Sequence, residues 1–202
     1  MIVVVTGGIG SGKSEVCALL NRRYGFPVYD ADSRVKQLYD AVPGLIGQVE
    51  KIAGRRLRNM EGLFVPSLLA EVIFSDRRVL EGVEALMFPA LKNDFAEWVE
   101  RHKDSPHHIF ESATVLEKPQ FEGFGDLILL VDAPFTLRLY RACARDGAER
   151  EKTRARMQNQ PLMNRLSEGA SDPRVDHVIL NDGSQERLAE KVAEFVEIAR
   201  LT

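Results

Sequence analysis

Apolar and polar positions recur with two different periods along this chain, and the switches between them lay out its elements. Ile2 to Val5 is an unbroken β-branched run, which suits a strand buried on both faces of a parallel sheet. Glycines follow, and then Val16, Leu19, Leu20 and Tyr24 recur at helical spacing as far as Gly25, where such a helix would stop. FPVYDAD predicts a second short strand ending in acids. ADSRVKQLYDAV predicts a helix with Ser33 as its cap and VPG as its stop.

From Leu45 to about Lys103 the pattern contains no strand. LIGQVEKIAG, PSLLAEVIF and RRVLEGVEALMFPALKNDFAEWVERH all carry helical periods, with Pro66 near one helix start and Pro89 as a kink or break. They predict a helical insertion between strands of the sheet. HHIFESA and DLILLVDAP predict two further strands, and HVILNDG the last. SQERLAEKVAEFVEIARL then reads as an amphipathic helix capped by Ser184, without a capping box because Arg187 stands three residues on. That order of elements belongs to an α/β fold with a mostly parallel sheet.

At 202 residues the chain predicts one domain with room for a core that needs no disulfide or metal staple. Cys17 and Cys143 make neither a zinc spacing nor a disulfide framework and read as reduced thiols of a cytoplasmic protein. A net charge of −3 gives no argument for nucleic acid or an anionic membrane as partner. The sequence shows no signal peptide and no membrane-length apolar run. The expectation is a soluble monomer or weak homo-oligomer.

The stretch that carries chemistry is GGIGSGKS, a G-x-x-x-x-G-K-[ST] pattern from Gly7 to Ser14 lying between the first strand and the first helix. Glycines let consecutive backbone N–H groups approach an anion with no Cβ in the way. The helix adds its N-terminal dipole, Lys13 a mobile charge for the β/γ-phosphates, and the Ser14 hydroxyl a ligand suited to Mg²⁺. The predicted donor is a nucleoside triphosphate, contacted by Gly8, Ile9, Gly10, Ser11, Gly12, Lys13 and Ser14, with the Glu15 carboxylate close by. A guanine-reading N-K-x-D is missing. The length, the helical insertion and the late run of Arg138, Arg141, Arg145, Arg150, Lys152, Arg154 and Arg156 look like a small-molecule kinase with an arginine-bearing lid.

With those residues in hand, the chain resembles the dephospho-CoA kinase family nearly end to end. TGGIGSGKS at Thr6–Ser14, GFPVYDAD at Gly25–Asp32, EVIF with DRRVLEGVEALMFPAL, HIFE at His108–Glu111, RLYRACARDG, RMQNQ and VDHVILNDGS follow that family's order and spacing. The resemblance implies a three-layer α/β/α P-loop fold with a parallel β-sheet, a helical acceptor-binding insertion and a helical lid. The nucleotide core would span about residues 1–44, 104–145 and 172–202, the insertion about 45–103 and the lid about 146–171. The implied reaction moves the γ-phosphoryl of ATP, with Mg²⁺, to the ribose 3′-hydroxyl of dephospho-CoA.

The resemblance also implies roles. Asp32 would be the general base, beside Lys13 and Arg141 as the other catalytic groups, with Asp30 a Mg²⁺ contact through water. Arg145 and Asn181 would join the ATP contacts, and Arg156 and Gln160 would belong to the lid. Glu111, ending a predicted strand at the same sheet edge as Asp32, would contact Mg²⁺-bound water or the acceptor. Each has a plainer reading: the two acids as helix N-terminal charges, the arginines as a solvated face, Asn181 as a turn residue and Glu111 as a structural acid. His107 and His108 lack a ligand cluster, and Phe95 and Trp98 read as core. On the acceptor side the pattern departs: Pro66 stands for an arginine and Phe88 for a histidine. Arg138 replaces a glutamine, and Arg55, Arg56 or Arg58 could substitute for the missing arginine. A kinase for another small acceptor and a nucleotide binder without turnover therefore stay open at this stage.

Overall fold

The computed structural model describes residues 1–201. They fall into two compact units: Met1–Tyr29 with the chain from His102 onward, and Asp30–Arg101.

The first unit is built on a sheet of strand order β2-β3-β1-β4-β5: β1 Ile2–Thr6, β2 Val28–Asp30, β3 His108–Glu111, β4 Leu127–Asp132 and β5 His177–Leu180. β1 pairs in parallel with β3 and β4, and β4 with β5. The alternation along β1 sends Val3 and Val5 to one face, against α1 (Lys13–Tyr24) and α9 (Gln185–Ile198), where Val16, Leu20, Val192 and Phe195 complete a buried core. β3 is buried along its whole length, and its Phe110 meets Phe124 edge-on at 4.7 Å and stacks with Tyr29 at 5.6 Å. The apolar runs of β1 and β4 follow from this placement: strands covered on both faces have no polar side to show. α6 (Phe135–Asp146), α7 (Arg150–Gln158) and α8 (Pro161–Ser167) lie between β4 and β5 in the chain.

The second unit is helical: α2 Ala31–Ala41, α3 Leu45–Ala53, α4 Pro66–Ile73 and α5 Arg77–Arg101. Tyr39 stacks on Phe64 at 4.0 Å, and Arg34 of α2 forks onto Asp94 of α5 at 2.6 and 2.7 Å. α2 is thus part of this unit, whose boundary falls at Asp30, upstream of the 45 expected from the pattern.

Two local expectations are corrected. The cap of α2 is Asp30, whose carboxylate accepts from the Ser33 N–H at 3.0 Å and the Ser33 hydroxyl at 2.5 Å. Ser33 is the donor, because an N-cap oxygen must sit two or three residues before the N–H it serves. Pro89 does not break its helix, since α5 runs through it for 25 residues. The buried stripe Val83, Met87, Leu91 and Phe95 recurs every four residues across the proline and holds the two halves to one apolar surface.

Candidate active site

The phosphate loop links β1 to α1 in the first unit. Gly12 is the N-cap of α1 in left-handed conformation (φ 99°) and offers no side chain to compete with an anion at the N-terminus of the helix. A Cβ there would lie 2.1 Å from Asn181 Nδ2, and one on Gly8 would lie 2.0 Å from Arg138 Nη2. Gly12 is favoured by its left-handed backbone as well as by close approach, Gly8 by close approach alone.

Four long-range contacts shape the loop. The Ser14 hydroxyl donates to Glu111 Oε1 at 2.7 Å, across the pairing of β1 with β3 that sets Val5 beside Glu111. The Ile9 N–H donates to Gln160 Oε1 at 2.9 Å. Arg138 Nε donates to the Ile9 carbonyl at 3.1 Å. Asn181 Nδ2 donates to the Ser11 carbonyl at 2.9 Å, while Arg141 reaches the Asn181 carbonyl and Oδ1 at 3.0 and 3.3 Å.

Arg138 is fully buried. Its Nη1 donates to Ser167 Oγ at 2.9 Å, Ser167 donates to Asp132 Oδ1 at 2.6 Å, and Asp132 lies 3.7 Å from Nη1. Burial pushes the guanidinium pKa down and Asp132 pushes it back up. Removing one partner of such a pair typically costs about 3–5 kcal/mol, because the other charge is stranded.

The structure thus brings together Gly8, Ile9, Gly10, Ser11, Gly12, Lys13, Ser14 and Glu15 with Arg141 and Asn181. A cavity of about 240 Å³ opens beside Gly12, walled by Arg141, Asn181, Gly183 and Ser184, with Glu15 among its lining. Glu15 also pairs with Arg22 at 2.9 Å. Arg145 sits elsewhere: it forks onto Asp146 at 2.6 and 3.1 Å, and Arg156 joins the same carboxylate at 3.3 Å. Hydrogen bonds from Arg145 hold the Asp146 pKa below the usual range.

Asp30 and Asp32 belong to the second unit, Asp30 as the cap and Asp32 in the first turn of α2. Pro66 is the first residue of α4, where its missing N–H costs nothing. Lys92 Nζ lies 5.5 Å from the Phe88 ring centre. Of the three arginines considered on the acceptor side, Arg58 forks onto Glu50 at 2.5 and 3.1 Å, Arg55 pairs with Glu71 at 2.9 Å and Arg56 reaches the Asn59 carbonyl at 3.4 Å. With Lys51 they border an open cavity of about 680 Å³.

No group of three or more His, Cys, Asp or Glu side chains arranged to hold a metal occurs among the described residues. The Ser14 hydroxyl beside the Glu111 carboxylate is nevertheless an all-oxygen donor set, as Mg²⁺ prefers when phosphate oxygens and water complete its shell.

A family model described as dephospho-CoA kinase matches residues 1–187. The chain belongs to the dephospho-CoA kinase family. It is similar to the dephospho-CoA kinase of Porphyromonas gingivalis, 36% identical over 97% of this chain and 93% of that protein. It is also similar to the crystal structure of TT1252 from Thermus thermophilus, with a TM-score of 0.82 and 31% identity over 100% of this chain and 98% of that one. Dephospho-CoA kinase from Campylobacter jejuni shares the fold at a TM-score of 0.65 and 19% identity, over 97% and 95% of the two chains. The family makes the chain an ATP-dependent P-loop kinase, as the sequence implies. Among the described residues no helix is long and apolar enough to cross a membrane.

Sequence reasoning singled out the loop, Arg141, Asn181 and Gln160, and weighed Glu111. It missed Asp132 and Ser167 and took Arg138 as the start of the basic run and as a departure from the family pattern. One signal was available: Arg138 shares a helix face with Ala142 and the apolar side of α6, where a charged residue must find a buried partner.

Proposed function

We propose that this protein transfers the γ-phosphoryl group of ATP to the ribose 3′-hydroxyl of dephospho-CoA. The observation that carries the proposal is the family match through residue 187 of a chain whose phosphate loop is fully formed. The loop N–H groups and Lys13 would hold the β- and γ-phosphates and neutralise charge that moves to the bridging oxygen. Mg²⁺, held by Ser14 Oγ with Glu111 outside it, would supply further neutralisation of the triphosphate. The cavity beside Gly12 would take the nucleoside, with Asn181 offering amide hydrogen-bonding groups and Arg141 a planar cation for stacking.

On the acceptor side, Asp32 would accept the 3′-hydroxyl proton as that oxygen attacks phosphorus in line. The segment of α7 and α8, carrying Arg156 and Gln160, would cover the phosphates and keep water out. Arg145 would reach the triphosphate by exchanging Asp146 for a phosphate oxygen. We take the cytoplasm as the compartment and a monomer or weak dimer as the working form.

An ADP-release assay with dephospho-CoA against a panel of other alcohols and nucleotides tests the reading. Turnover with dephospho-CoA well above the rest is expected, with 3′-phosphorylated product seen by mass spectrometry. Preference for another acceptor would replace the substrate; ATP binding without turnover on any acceptor would remove the kinase reading.

A further inference from the structure

Both backbone polar groups of one loop residue, Ile9, are held by side chains from far along the chain. Its N–H is taken by Gln160, the N-cap of α8, and its carbonyl by Arg138. Arg138 in turn holds Ser167, the last residue of α8, and Ser167 reaches Asp132 at the end of β4. The two ends of α8 are therefore tied to the same residue of the phosphate loop, one directly and one through a buried arginine.

The arginine is shaped into this place. It is the largest fully buried side chain of the described residues, and its Nη2 has no hydrogen-bond partner there. Nη2 packs under Gly8, so closely that a Cβ would sit 2.0 Å from it, and the Arg138 carbonyl meets the position of a Cβ on Gly10 at 2.1 Å. A buried donor left without an acceptor is costly. The arrangement keeps it while spending Nε on the loop carbonyl and Nη1 on α8.

A loop that binds phosphate through backbone N–H groups works best when its peptide planes are fixed beforehand, since ordering them on binding costs affinity. We propose that Arg138 is a positioning residue for ATP: through the Ile9 carbonyl it fixes the tip of the phosphate loop to Asp132 and to the C-terminal end of α8. The loop then meets the triphosphate already in its binding shape, and α8 follows the loop. The role in turnover rests on the kinase reading above, whereas the effect on nucleotide binding does not depend on the acceptor.

The test is direct ATP binding by calorimetry, without acceptor, together with melting curves. Arg138→Met strands Asp132 and is expected to lower the melting temperature, so the informative chain is Arg138→Met with Asp132→Asn. It should regain thermal stability yet bind ATP at least about tenfold more weakly, the usual size for lost hydrogen bonds to a charged group. Ser167→Ala keeps both buried charges and removes the hydroxyl that ties α8 to Arg138 and to Asp132. It should weaken ATP several-fold, raising KM for ATP with little change in KM for the acceptor. A folded double variant, or Ser167→Ala should the double variant not fold, that binds ATP as tightly as the parent would overturn the proposal. If both bind weakly while no chain turns over any acceptor, the kinase reading fails and this one stands.

Discussion

The hydroxyl of Ser14 and the carboxylate of Glu111 form the contact on which the metal argument depends, 2.7 Å apart and contributed by residues 97 positions apart in the chain. A carboxylate that accepts from a ligating hydroxyl, or from water on the metal, orients the site from outside, and losing such a partner typically costs about 10–100-fold in affinity or rate. Glu111→Gln keeps shape and one acceptor but removes the charge. It should raise the Mg²⁺ concentration for half-maximal rate by about tenfold or more, with ATP and Mg²⁺ titrated separately. An unchanged Mg²⁺ dependence would leave Glu111 a structural acid. The loop itself could be read because its motif is contiguous and each residue type has a chemical reason. Asp132 and Ser167 meet the loop's arginine, and Glu111 and Gln160, named in the sequence but without these partners, meet the loop, only through strand pairing and helix packing, which a local pattern does not contain. The Ser33 cap failed more simply, because DADS offers three capping side chains and only chain geometry chooses Asp30.

At the scale of elements, strands read well where they are covered on both faces, as in β1 and β4, because burial itself writes the apolar run. The helices α3, α4 and α5 read well too, whereas the attachment of α2 depends on Arg34–Asp94 and Tyr39–Phe64. α5 is the instructive case. Its packing stripe overrides a proline that lacks the N–H to reach the Ala85 carbonyl and crowds the preceding turn. Pro89 is exposed, so Pro89→Ala leaves the stripe untouched and restores that bond. It should stabilise the unit by roughly 1–3 kcal/mol. Trp98, the single tryptophan and itself on α5, reports the transition: its fluorescence midpoint in denaturant should rise. A lower midpoint would show that the proline fits a bend the packing needs.

For the whole molecule, the charge pattern sets the pH limits of stability. Asp146, Asp172, Asp182 and Glu50 all have depressed pKa values from arginine or lysine hydrogen bonds. Each contributes stability that is present above its unfolded value, 3.8 for the aspartates and 4.5 for Glu50, and is lost as pH falls through the lower folded value. These groups are mostly at the surface, so salt should soften the acid limit. The alkaline side rests on Tyr39, whose phenol is pushed up from 10.0 to about 12 by burial and by the nearby Glu84 charge. The fold favours the neutral phenol. Its contribution is complete below pH 10 and is lost as pH rises toward about 12. A shift of that size is on the order of 2–3 kcal/mol. Tyr39→Phe cannot ionise, keeps the ring stacked on Phe64 and should flatten this part of the profile. The check is the denaturant midpoint from Trp98 fluorescence between pH 8 and 11.5, parent against variant, where the parent should fall more steeply above pH 10. Parallel slopes would show that Tyr39 reaches solvent before its unit unfolds.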